Sequence, residues 1–132
     1  MLRIGFLPSD FNPMLLMLGE QEELRALGGV LRQFARDGGA VRLEELPFCA
    51  ASGTRVMLAG GAGAPGLHAL PDEPDAFVWR LDAQLAAAFA HSVDDLAAAS
   101  RKAGSELLEC TQQEEIPVKV SRGEYTDDFL CA

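Results

Sequence analysis

Positive charge is what this chain has least of. Its 11 Lys and Arg stand against 20 Asp and Glu, for a formal net charge of −9 at pH 7. Such a surface repels phosphate backbones, which argues against nucleic acid as a direct partner. No stretch approaches the roughly 20 apolar residues of a membrane span. The apolar run at the amino end is broken by Pro8, Ser9 and Asp10, too soon for the core of a secretory signal. The chain therefore reads as cytoplasmic, with no membrane partner. Cysteine occurs three times, as Cys49, Cys110 and Cys131, an odd count with no CxxC spacing. That pattern points to buried or incidental thiols rather than a disulfide framework or a zinc site. His68 and His91 are the only histidines, and neither has an HxxxH or HxxE partner, so no metal and no cofactor is expected. GxSxG and GxxxxGK[ST] are both absent.

What is present is a globular composition. At 132 residues, 48% hydrophobic and 23% charged, the chain is large enough to bury a core, and residues 1–132 read as one domain. Leu2, Ile4 and Phe6 alternate as in a strand, and "MLLMLG" between Pro13 and Gly19 suits a buried strand. "EQEELRALGGVLRQFARDGG" is the clearest helix. Leu24, Leu27, Leu31 and Phe34 share a face, glutamates crowd its first turn, and Gly38 and Gly39 stop it. Gly28 and Gly29 inside it cost about 1 kcal/mol each relative to alanine, which close packing on a sheet would offset. "VRLEEL", "TRVMLA", "GLHAL" and "AFVWRL" read as strands, with Phe77, Trp79 and Leu81 on one face. A helix follows over 83–102, either continuous or split in two at a capping pattern over Ser92–Asp95, with Gly104 as its stop. "ELLEC" and "IPVKV" are two final strands; Pro117 marks an edge or a strand start. No internal repeat is visible. The fold class is α+β: an antiparallel or mixed sheet of about six strands with both helices packed on one face. Leu24, Leu27, Leu31, Phe34, Trp79, Leu85, Phe89 and Val118 should be buried, and Met14, Met17 and Met57 read as core rather than as a pliable surface.

Several motifs invite a chemical reading. Gly61-Ala62-Gly63-Ala64-Pro65-Gly66 matches GxGxxG, but a dinucleotide site needs a helix N-terminus directly after the glycines. "LHALPDEPD" follows instead, so this is a loop. Cys49 and His68 could pair only through the fold, and no helix start near Cys49 would lower its pKa. The adjacent acid pairs, such as Glu44-Glu45 and Asp94-Asp95, mark solvated faces more readily than a catalytic centre. No catalytic residue is assigned, and whether the chain is an enzyme stays open, with the balance towards no.

The acid is unevenly spread. Residues 1–71 carry a net −1 and residues 72–132 a net −8. The chain closes on "SRGEYTDDFL", which mixes Glu124, Asp127 and Asp128 with the aromatic Tyr125. Carboxylates pair with Lys or Arg, and tyrosine adds contact area at little entropic cost. These four residues are the expected partner-binding set, and the expected partner is a basic protein.

Two stretches, "LLMLGEQEELRALGGVLRQFA" and "EIPVKVSRGEYTDDF", resemble small bacterial immunity proteins of polymorphic toxin systems. The resemblance implies a cytoplasmic protein that binds and blocks a toxin with no chemistry of its own, and it carries over no contact residue. The leading expectation is thus an acidic protein-binding module, an immunity-type inhibitor of a basic toxin or enzyme. One alternative is a small-ligand binder or small enzyme with its cleft near the Gly60–Gly66 loop; a cavity of roughly 300 Å³ in which His68, Cys49 or clustered acids converge would favour it. The other is a homo-oligomeric structural protein, a homodimer formed through the edge strand at Pro117.

Overall fold

In the computed structural model, residues 1–8, 13–50, 53–61, 63–110 and 114–125 are described. Among them the chain is α+β, with two α-helices and eight strands in two four-stranded mixed sheets. The strands are β1 (Arg3–Leu7), β2 (Met14–Leu18), β3 (Val41–Arg42), β4 (Arg55–Ala59), β5 (Gly66–Ala69), β6 (Ala76–Arg80), β7 (Gly104–Leu108) and β8 (Val118–Arg122). The helices are α1 (Gln21–Asp37) and α2 (Ala83–Leu96). One sheet runs β1-β2-β8-β7 and the other β3-β4-β6-β5, so the single six-stranded sheet is corrected to two sheets. One contiguous core joins both sheets and both helices. Its members include Leu15, Met17, Val118 and Val120 from the first sheet, and Val56, Leu58, Phe77 and Trp79 from the second.

The topology contains a repeat that the sequence hides. Each half reads strand, strand, helix, strand, strand, and each sheet takes two strands from each half. In both sheets the two central strands are parallel, β2 with β8 and β4 with β6, and both outer strands are antiparallel to their neighbours. The halves are related by a pseudo-two-fold exchange of their strand pairs. The helices show it residue by residue. Buried Leu24, Leu27, Gly28, Leu31 and Phe34 of α1 match buried Ala86, Phe89, Ala90, Val93 and Leu96 of α2 at one constant offset, the 62 residues that also separate the ion-paired Arg32 and Asp94. No residue type is shared at these five positions. The two halves keep a burial pattern without keeping identities.

The helix ends follow local chemistry. Glu20 and Glu23 form a capping box at the start of α1, and Gly38 closes it in the left-handed region, φ 70°. Asp82 caps α2 by accepting from the Leu85 N–H at 2.7 Å. This helix runs unbroken through His91–Asp95, because Asp82, not Ser92, supplies its cap, and it ends at Leu96, six residues before the expected end at 102. Gly104 opens β7 rather than closing a helix.

Trp79 is fully buried, and the other expected core residues except Leu85 are buried as well. Leu85 is half-buried because the inward positions of α2 are Ala86 and Phe89. Met17 is core, but Met14 and Met57 are only half-buried. "VRLEEL" makes only a two-residue strand and then a 3-10 turn over Leu43–Glu45. Pro117 stands at a strand start and not at an edge. It precedes β8, which is central in its sheet, and its carbonyl accepts from the Leu15 N–H at 3.0 Å. β8 is therefore paired on both sides, with β2 and with β7, and presents no open edge.

Candidate functional site

The carboxyl-terminal candidate residues are reached through β8. Val118 and Val120 enter the core, while Lys119 and Ser121 turn to the other face of the sheet, as the two-residue period requires. Gly123 then turns the chain with φ 73°, a conformation that favours glycine. Glu124, exposed, accepts from the Ser105 hydroxyl at 3.1 Å, and that hydroxyl lies 2.9 Å from the one on buried Ser121. Tyr125 is half-buried, and its hydroxyl oxygen accepts from Lys119 Nζ at 3.0 Å. Glu124 and Tyr125 are thus held against the outer face of the first sheet by neighbours on β7 and β8. Asp127 and Asp128 lie outside the described residues.

The thiols and imidazoles are placed separately. Cys49 is buried and bridges to Leu2; burial first, and the Glu44 charge second, push its thiol up to about 11. Cys110 is raised to about 12 by burial and by the neighbouring Glu115, which also accepts from the Cys110 N–H at 2.6 Å. Neither thiol supplies a thiolate near neutral pH. Cys131 is outside the described residues. His68 is half-buried on β5, with Nε2 3.2 Å from the Pro65 carbonyl oxygen. His91 is exposed on α2, 3.7 Å from Asp95 one turn later. Among the described residues no group of three or more His, Cys, Asp or Glu is arranged to hold a metal ion.

Among the described residues, three concave sites lie on the second sheet. The Gly60–Gly66 loop leads into strand β5, not a helix, and the hollow beside it has a volume of about 170 Å³, lined by Gly61, Gly63, Pro65, Arg80, Leu81 and Asp82. Neither His68 nor Cys49 lines it. A larger groove of about 400 Å³ lies under the β5–β6 turn, with Phe6, Leu70 and Phe77 along it and Asp72, Glu73 and Asp75 on the turn itself. On the far side of Glu73 a hollow of about 330 Å³ is lined by Arg42, Glu44, Arg55 and Met57. Sequence reading missed the groove. Its only local signal was "LPDEPD", three acids braced by two prolines, and nothing in the sequence places Phe6 beside it.

Comparison of the chain with protein-family models, with curated proteins and with solved structures gives no match. Among the described residues no helix is long and apolar enough to cross a membrane.

Proposed function

We propose that this protein is a small acidic protein-binding module of the cytoplasm, an immunity-type inhibitor that holds a basic toxin or enzyme by surface complementarity. The observation that supports it is the net −8 carried after residue 71, with Glu124 exposed at the end of β8 and Asp127 and Asp128 close behind in sequence. Opposite charge speeds encounter, and that gain fades with salt. Tyr125 contributes contact area that salt does not remove. The hydrogen bond from Lys119 holds Tyr125 already positioned, which lowers the ordering cost of that contact.

The test measures association of this protein with the product of the gene immediately upstream, at low and at high salt. The expected result is a rate that falls with salt, and a rate several-fold slower at low salt for Asp127→Lys with Asp128→Lys. Association that ignores both salt and the double substitution would reject the carboxyl-terminal acids as the interface. For the small-ligand alternative, the hollow at the Gly60–Gly66 loop measures about 170 Å³ among the described residues, whereas the groove of about 400 Å³ with Asp72, Glu73 and Asp75 at its rim has the size and the clustered acids that favour that reading, at the β5–β6 turn rather than at the loop.

A further inference from the structure

We infer that the groove under the β5–β6 turn receives an arginine side chain of the basic protein partner, an inference that rests on the basic-partner reading above. The groove joins two features that a guanidinium needs. The first is an aromatic floor. Phe6 and Phe77 lie with ring centroids 4.9 Å apart, tilted by 44°; Phe77 is 4% exposed and Phe6 only partly buried, so Phe6 is the accessible ring, with Leu70 alongside. A guanidinium is planar, weakly hydrated and stacks on aromatic faces, and its aliphatic stem packs on apolar walls. The second is uncompensated negative charge at the rim. Asp72, Glu73 and Asp75 are all exposed. Glu73 is paired with Arg55 at 3.5 Å, and no ion pair neutralises Asp72 or Asp75 among the described residues.

The rim is also pre-set. Leu70 N–H donates to the Ala76 carbonyl at 2.9 Å, and Arg55 N–H donates to the Asp75 carbonyl at 2.8 Å, tying the turn to β4. Asp75 sits in the left-handed region at φ 57°, and Pro71 and Pro74 restrict the turn on either side. A turn held this way gives up little conformational freedom when a partner docks. The Arg55–Glu73 pair is half-exposed on both sides, so it is weak and exchangeable, and an incoming guanidinium can share Glu73. The occupant we infer is a side chain of a protein, because the rim charge adds to the net −9 that favours a basic partner and the apolar wall of Phe6 and Leu70 fits an aliphatic stem.

The test is an NMR titration of the full ¹⁵N-labelled chain with N-acetyl-L-arginine amide. N-acetyl-L-citrulline amide, of the same shape without charge, is the control. The expected result is weak, saturable shifts at Phe6 and Ala69–Phe77, at least tenfold weaker binding of the citrulline compound, and a loss of about fivefold or more in Asp72→Asn with Asp75→Asn. Should that double variant fail to fold, Asp75→Asn alone serves, since asparagine tolerates the left-handed region. Equal binding of the citrulline compound, or no saturable shift, overturns the inference. So does binding tighter than about 10 μM, which would mark a site for a free small cation. Shifts confined to Glu124 and Tyr125 would also overturn it while leaving the basic-partner reading intact. Failure of the upstream product to associate would count against that reading and not against the groove's chemistry.

Discussion

Arg32 and Asp94 are ion-paired across the contact between α1 and α2, and they occupy equivalent positions of the two helices. Each stands one residue beyond a matched pair of buried residues, Leu31 and Val93. The pair therefore joins matched positions of the two halves, and exchanging its members should rebuild it. Either single reversal, Arg32→Asp or Asp94→Arg, sets like charges together and should cost up to about 1 kcal/mol, since exposed pairs are weak. Arg32→Asp with Asp94→Arg should recover most of that loss. Urea denaturation of the four proteins as a double-mutant cycle measures it. A double variant as unstable as the sum of the singles would mean that the two sites are not equivalent.

The adjacent glycines of α1 separate cleanly on the same contact. A Cβ on Gly28 would run into the Asp94 carboxylate, whereas one on Gly29 meets only Arg32 Nη2, at 3.8 Å. Gly29→Ala should stabilise the protein by about 0.5–1 kcal/mol through helix propensity. Gly28→Ala has the same propensity gain but must displace Asp94 from Arg32, so it should be neutral or destabilising. Thermal melts of the two variants distinguish them. Equal gains would show that the helices have room to spare.

These residues also show what the sequence made legible. The period of α1, the shared core placement of Phe77, Trp79 and Leu81, and the absence of a helix start after the glycines were local patterns, and the structure keeps them, with Gly66 opening strand β5. What could not be read was long-range pairing. The partition of eight short strands into two sheets depends on β2 meeting β8 and β4 meeting β6, and no local pattern encodes that. The glycine pair was expected to pack on a sheet, but Gly28 faces the other helix. The internal repeat was invisible because matched positions hold Leu and Ala, or Leu and Phe, where only burial is common to both. The groove needed Phe6 and Phe77, 71 positions apart, to be brought together by the fold.

Trp79 offers a test of how the core tolerates a polar atom. Its ring is fully buried and stacks on Phe89, centroids 5.9 Å apart, while its Nε1–H finds no acceptor among the described residues. An unsatisfied buried donor costs about 1–3 kcal/mol. Trp79→Phe removes that donor and some volume together, so the two effects oppose and the net loss should stay below about 2 kcal/mol. Trp79→Ala leaves a cavity and should lose about 3–5 kcal/mol. Chemical denaturation followed by circular dichroism reads both. Similar losses for Phe and Ala would mean that the indole N–H is satisfied and stabilising.

The two described thiols predict an alkaline limit on stability. Burial holds the Cys49 thiol at about 11 and the Cys110 thiol at about 12, both raised from 9.0. Below pH 9 both states of the protein carry these protons and stability is indifferent to them. Above it, the unfolded chain loses the protons while the folded chain keeps them. The unfolded state then binds fewer protons, so stability falls as pH rises, between about 9 and 11 for Cys49 and towards 12 for Cys110. Other groups titrate there too, so the informative quantity is a difference. In a Cys131→Ser background, Cys49→Ala should cost stability at pH 7.5, and that cost should shrink by pH 10.5 as the burial of a neutral thiol becomes a disadvantage. Alkylation gives a second reading: at pH 8 both described thiols should react with iodoacetamide more than tenfold slower in the folded protein than after denaturation, because the thiolate is the nucleophile. A penalty for Cys49→Ala that stays constant with pH, together with alkylation as fast in the folded protein as in the unfolded, would show that Cys49 ionises in its native surroundings and that the core beneath β1 is open to water.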